Sequence, residues 1–232
     1  MVMWFLFFTQ LWASTPKIEL ETAADTSLTQ SAREEAFGRL VDLGATDTQF
    51  LYDIAQDTAA NTRHRWVAIR ALGQIKSPKA ERILLRLLSD PEPAIRAAAL
   101  GGLGDLGKKS NLSLIASHLE DEAIIVRAAS AEALGKIGAS KSISFLERAL
   151  DSQSNYYRGT SLWVRQNYVI ALGEIGHKDA YAVYIKTLND VDPLVVKATI
   201  QALEKTAGHS FGQGRTEEQE LEAWRRWLNN NL

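Results

Sequence analysis

The sequence predicts an all-α protein, a right-handed α-solenoid of about five to six helical-hairpin repeats. Three observations carry this. A helix skeleton recurs along the chain, its period is nearly constant, and a shorter amphipathic segment separates each copy from the next. The clearest copy is IIVRAASAEALGKIG, Ile124 to Gly138, in which Val126, Ser130, Ala133, Leu134 and Ile137 fall on one stripe at helical spacing. The other copies are WVAIRALG from Trp66, IRAAALGGLGDLG from Ile95, VRQNYVIALGEIG from Val164 and a weaker VKATIQALEKTAG ending at Gly208.

Counted from the Leu of each copy, Leu72, Leu103 and Leu134 are spaced by about 31 residues, Leu134 to Leu172 by about 38, and Leu172 to Leu203 by about 31. An earlier copy places Leu40 about 32 residues before Leu72. An Arg stands seven positions before each Leu: Arg33, Arg65, Arg96, Arg127 and Arg165. The last copy departs, with Val196 in that slot and Lys197 beside it. The intervening segments, such as AERILLRLLSD and YAVYIKTLND, end in Leu followed by an acidic or amide residue. An Arg that opens one helix lies close in sequence to the Asp that closed the one before. The expected pairs are therefore Asp90–Arg96, Asp121–Arg127 and Asp151–Arg165, with a structural role.

These residues resemble the bacterial HEAT-like repeat, the type also found in phycobilisome chromophore lyases. The resemblance covers Ser31 to Gly208, and the Phe-Gly…Trp-x-x-Trp tail resembles the closing element of such arrays. It implies a solenoid, but such repeats serve scaffolds, adaptors and a few enzymes alike. The His-Glu iron ligands of the HEAT-repeat hydroxylases that modify deoxyhypusine have no counterpart, since His64, His118, His177 and His209 stand far apart.

The chain has 232 residues, a net charge of -2 and no Cys. Without a basic stripe it does not read as a nucleic-acid binder, and without Cys it has neither disulfide nor thiolate chemistry. Residues 1–13, with the apolar run Val2–Leu11, read as a signal peptide, although no Lys or Arg precedes the run. The mature chain would then start near Ser14 and be periplasmic or secreted, and a retained segment would bring membrane contact; the alternatives are a mis-assigned start or an apolar helix packed on the first repeat, and a cytoplasmic protein. Residues 14–30 read as a polar linker, 31–208 as the solenoid and 209–232 as a C-terminal cap anchored by Trp224 and Trp227.

Helix boundaries follow from capping. Ser31–Glu34, Thr46–Gln49 and Thr216–Gln219 have the form of capping boxes, and Ser77-Pro78 and Asp192-Pro193 place Pro at the first helical position. Gly44, Gly107, Gly138 and Gly176 are expected as helix stops.

The first, second and fifth positions after each repeat Arg are expected to face a concave groove. These are Trp66, Val67 and Arg70; Ala97, Ala98 and Gly101; Ala128, Ala129 and Glu132; and Gln166, Asn167 and Ile170. The groove would be shallow, nearly bare in the middle, and able to seat a helix or extended peptide. The longer fourth period is an insertion, 152–163, which brings Tyr156, Tyr157 and Arg158 to its rim, residue types enriched at interfaces, or else is an ornamental loop whose tyrosines pack on their own repeat. A basic cluster from Arg63 to Arg86 marks the second repeat, a solvated helix face or a landing site for an acidic partner. No catalytic residue, metal or cofactor is assigned. The function expected is a non-catalytic, exported scaffold or adaptor that binds a protein partner through Trp66, Arg70, the groove and the insertion. The alternatives are a lyase-like enzyme or chaperone acting on a tetrapyrrole-bearing protein, and a membrane-associated assembly factor.

Overall fold

The computed structural model describes residues 15–46 and 48–231, and the apolar run expected to be a leader lies outside them. The described residues form thirteen α-helices in two layers. Short helices α3 (Gln49–Gln56), α5 (Pro78–Leu87), α7 (Leu112–Ser117), α9 (Ser142–Leu150) and α11 (Tyr181–Thr187) alternate with longer ones. The longer set is α4 (Thr62–Ile75), α6 (Pro93–Leu106), α8 (Ile124–Ile137), α10 (Val164–Ile175) and α12 (Pro193–Ala207). Before them stand α1 (Pro16–Ala24) and α2 (Gln30–Thr46), and α13 (Glu217–Asn231) follows them.

Each long helix packs on the next, α4 on α6, α6 on α8, α8 on α10 and α10 on α12. The repeated Leu of the skeleton, from Leu40 to Leu203, is fully buried at this layer's heart. Small residues let the backbones approach. The Cα of Gly102 lies 2.5 Å from where a Cβ on Gly73 would stand, and Ala133 Cα lies 2.8 Å from the same point on Gly104. Helix spacing depends on the side chains at the contact, and these small residues set it here.

Gly107, Gly138 and Gly176 end the long helices with φ of 70°, 66° and 62°, the left-handed cap only Gly takes without strain. Ser77 and Asp192 accept from the backbone N–H of Ala80 and Leu194, as their Pro-following positions predict. Thr216 and Gln219 exchange a true capping box, at 3.0 and 3.3 Å.

Several expectations need correction. Residues 14–30 are not a plain linker, because Thr15 caps α1, Pro16 occupies its first turn, and Leu20, Ala23 and Ala24 bury against α2 and α4. The cap of α2 is Thr29, whose hydroxyl accepts from Ala32 N–H at 3.3 Å, rather than Ser31. Thr46 opens no helix; it ends α2 and its hydroxyl donates to the Leu43 carbonyl. Gly44 is no stop either. It lies inside α2, where Leu51 and Ile75 crowd the place a Cβ would take.

Candidate functional site

The Arg series forms a ladder, and its rungs are offset by one repeat from the expected pairs. Arg65 bonds Asp90 at 2.5 Å, Arg96 grips Asp121 with two bonds of 2.8 and 2.9 Å, and Arg165 grips Asp190 at 2.6 and 3.1 Å. The guanidinium thus reaches the carboxylate of the following repeat. From the Asp that precedes them, Arg96 and Arg127 take only a backbone carbonyl, Asp90 O at 2.9 Å and Asp121 O at 2.7 Å, while Arg65 and Arg165 donate to the carbonyls of Ala55 and Leu150. Asp151 pairs with Lys186 on the surface instead of with Arg165. Burial is the largest single influence on the Asp121 and Asp190 carboxyls and raises them, but the hydrogen bonds from Arg96 and Arg165, the backbone N–H groups of Ala123 and Asp192 and the nearby positive charges together outweigh it and hold both below their ordinary range.

Two members of the series lack a carboxylate. Arg127 is buried and bonds the carbonyls of Asp121, Glu122 and Ser154. The insertion has put Ser152 where the next Asp would stand. Arg33 likewise pairs with no carboxylate among the described residues, and the Nε of both is buried without a partner.

The insertion itself is a small hairpin. β1 (Tyr156–Tyr157) pairs antiparallel with β2 (Thr160–Ser161) across a two-residue Arg158-Gly159 turn, both at positive φ. Buried Asn155 ties its base down, donating to Ala149 O at 2.8 Å and accepting from Tyr168 Oη at 3.3 Å. Burial pushes the Tyr168 hydroxyl up to about 12, so it stays a donor. Tyr156, expected at the rim, is half-buried with the Arg165 guanidinium 4.7 Å from its ring. Tyr157 and Arg158 are exposed at the tip.

On the open face of the long-helix layer, Trp66, Glu132 and Ile170 are exposed, and Arg70, Ala97, Ala128, Ala129, Gln166 and Asn167 are partly so. Val67, Ala98 and Gly101 are buried and do not line it. The second position after the Arg turns into the helix–helix contact in the tight early repeats, and Arg70 lies directly over Gly101. The middle of the face is therefore not bare. Arg70, Gln74 and Lys136 converge on Asp105 at 3.4, 3.1 and 2.9 Å, and Glu132 joins Lys136 at 2.8 Å.

The face also carries residues that the groove positions missed. Ile125 on α8, Trp163 at the N-cap of α10 and Leu194 on α12 occupy the same register, two positions before the repeat Arg slot, and are 45%, 45% and 52% exposed. With Ile170 they form an apolar row at the C-terminal half. The repeat register could have found them, since Arg63 and Ala94 fill that position earlier and the change to large apolar side chains is visible in the sequence. At the other end, α1, α2 and α4 line an open cavity of about 440 Å³ bounded by Ala23, Gln30, Arg33, Glu34, Phe37, Arg63, Trp66, Val67 and Arg70. Among the described residues no His, Asp and Glu cluster could hold a metal, and no helix is long and apolar enough to cross a membrane.

No curated protein sequence matches the chain. An engineered protein of known structure superposes with a TM-score of 0.52 at 18% identity, over 83% of this chain and 89% of the other. The complex of CpcE and CpcF of phycocyanin lyase from Nostoc sp. PCC7120 aligns at 17% identity and TM-score 0.47, covering 93% and 95% of the two chains. Human deoxyhypusine hydroxylase aligns at 18% and 0.43, covering 84% and 96%. The first likeness supports an all-α repeat fold. In sequence, the profile of HEAT repeats matches residues 48–123 and 95–163, together half of the chain. With its helical hairpins, its constant register and its Arg–Asp ladder, the chain belongs to the HEAT-repeat family.

Proposed function

We propose that this chain is a non-catalytic, exported scaffold that binds a segment of a protein partner on the open face of its long helices. The observation that carries the reading is the apolar row Ile125, Trp163 and Leu194. Large apolar side chains at one register of three consecutive helices stand exposed where each neighbouring register is filled by packed or polar groups. The fold has no need of them there, and an exposed apolar patch rimmed by polar residues marks a docking surface. Ile170 extends the row, Asn167 and Gln166 supply hydrogen-bonding groups beside it, and Tyr157 and Arg158 stand exposed at the hairpin tip.

Interface energy concentrates in a few aromatic and aliphatic anchors, each worth about 2 kcal/mol or more when it is one. The double variant Trp163→Ala, Leu194→Glu is expected to keep the wild-type melting temperature while losing the native partner in pull-downs from the host. Retention of the same partner by this variant at wild-type yield overturns the face. Export rests on the run Val2–Leu11 of the sequence alone. Native protein whose N-terminus lies within a few residues of Ser14 is the expected outcome, and intact Met1 overturns export without touching the binding face.

A further inference from the structure

The cavity at the N-terminal end of the face is built around a guanidinium whose internal partner is missing. In the ladder, Arg65, Arg96 and Arg165 each meet an Asp that also accepts from the backbone N–H two residues on, as Asp90 does from Glu92, Asp121 from Ala123 and Asp190 from Asp192. Asp57 makes that same turn with Ala59 N–H at 2.9 Å, but it stands one position short of the 25-residue offset of the other pairs, and Thr58 holds the slot facing Arg33. Asp57 is exposed and no ion pair joins it to Arg33. Arg33 instead lines the cavity, its Nε screened from solvent and without a partner. Arg127, the other member without a carboxylate, spends its N–H groups on three backbone carbonyls, whereas Arg33 makes no ion pair among the described residues and faces the cavity.

The rest of the lining fits an anion beside an apolar group. Trp66 lies between two further cations, with the Arg63 guanidinium 5.5 Å and that of Arg70 5.9 Å from its ring. Arg63 makes no ion pair among the described residues, and Arg70 has only its 3.4 Å contact with Asp105. Phe37, Val67 and Ala23 make an apolar floor. One lining carboxylate opposes the three guanidiniums, Glu34, which is exposed and engaged by Gln30 at 2.7 Å. Asp25 feels the charge of Arg33 only as a minor influence, its own carboxyl being lowered chiefly by Ser27. A volume of about 440 Å³ is ample for two side chains.

We propose that this cavity seats a carboxylate side chain, with an adjoining aromatic residue, from an acidic segment of the partner polypeptide. The incoming carboxylate takes the place on Arg33 that an Asp of the next repeat takes on Arg65, Arg96 and Arg165, and Arg63 closes on it from α4. The fork of a guanidinium matches a carboxylate in two bonds, which fixes direction as well as charge. The neighbouring aromatic ring lies on the floor against Phe37 and Trp66. This inference rests on the reading that the open face binds a polypeptide, and it fixes which end of that segment is acidic: the end over α2 and α4, with the apolar part over α8, α10 and α12.

The test uses the full chain and the indole N–H resonance of Trp66, assigned by its loss in Trp66→Phe. The probe is acetyl-Glu-Phe-Glu-amide, with acetyl-Gln-Phe-Gln-amide as its uncharged twin. The acidic peptide is expected to shift the resonance saturably, the twin to bind at least tenfold more weakly, and added salt to weaken the acidic peptide selectively. Arg33→Met and Arg63→Met, whose helices are expected to remain folded by circular dichroism, should each reduce affinity at least tenfold. Equal binding of the two peptides, or wild-type affinity in Arg33→Met, overturns the proposal. Tighter binding of benzoate than of the peptide also overturns it, by making the cavity a small-carboxylate site. If Arg33→Met retains the native partner while Trp163→Ala, Leu194→Glu loses it, the scaffold reading stands and the acidic pocket falls. The reverse result leaves the pocket standing and removes the apolar row.

Discussion

Arg96 shows why the ladder was half-readable from sequence. Its spacing to Asp90 and to Asp121 is equally regular, and only the nearer residue looks like a partner when the chain is read linearly. In the structure the near Asp offers its carbonyl and the far one its carboxylate, which ties one repeat to the next. Arg96 and Asp121 are both about nine-tenths buried, so Asp121→Asn leaves an uncompensated cation and is expected to cost about 3–5 kcal/mol. Asp151→Asn breaks a half-exposed pair and should cost about 0–1 kcal/mol. Denaturant unfolding of the two variants separates the offset ladder from the adjacent pairing that linear spacing suggests. The pH dependence follows from the same contacts. The Asp121 and Asp190 carboxyls are held below the usual 3.8, so the folded state binds fewer protons than the unfolded chain in that region. Their contribution is complete above the unfolded-state value and is lost as pH falls through the lower folded-state values. Acid titration of the wild type should show this loss below pH 4, and Asp121→Asn should flatten it.

Helices and hairpin differ in how far their residues announce themselves. The glycines that end α6, α8 and α10 are readable because a left-handed cap has one good residue. Gly44 is the same letter used for close packing, and nothing local tells the two uses apart. The insertion was readable as a break in period, but not as a hairpin whose two tyrosines have opposite duties. Tyr156→Ala removes a ring stacked on buried Arg165 and is expected to lower stability by about 1–2 kcal/mol. Tyr157→Ala, 62% exposed at the tip, should change it by less than about 0.5 kcal/mol. Equal melting temperatures for the two would remove the folding role from Tyr156. At the C-terminus the aromatic cap is a cluster: Trp224 is fully buried, Phe211 and His209 lie 4.7 and 5.2 Å from its ring, and Trp227 stands edge-on to Tyr181 at 5.2 Å. Trp224→Ala is expected to cost about 3–5 kcal/mol. Because each repeat leans only on its neighbours, the loss should appear first as faster hydrogen exchange in α11 and α12, with α4 and α6 little changed.

Over the whole molecule, the period and the Arg register were sufficient for the architecture. The face was harder, because the side of a helix that stays open depends on how closely its neighbours approach. In the early repeats they approach so closely that Val67, Ala98 and Gly101 vanish into the contact. That closeness is testable as a graded property. The glycine eight positions after each repeat Arg meets the next long helix, and a Cβ there would stand 2.5 Å from Gly102 Cα for Gly73, 2.8 Å from Ala133 Cα for Gly104, 2.9 Å from Ala202 Cα for Gly173 and 3.2 Å from Ala171 Cα for Gly135. Ala in a helix interior gains about 1 kcal/mol over Gly. Overpacking a tight contact costs about 1–3 kcal/mol. At Gly135 a small shift accommodates the methyl and the two effects nearly cancel, so Gly135→Ala should melt close to the wild type. At Gly73 backbone meets backbone, nothing can swing aside, and α4 must move off α6. Gly73→Ala is therefore expected to be the least stable of the four. Since α4 carries Trp66 and Arg63, it should also alter the Trp66 indole resonance, although neither side chain is changed. Melting temperatures that fail to follow the order of the distances would mean that the helices have slack. The spacing of the long helices would then be set elsewhere than at these glycine contacts.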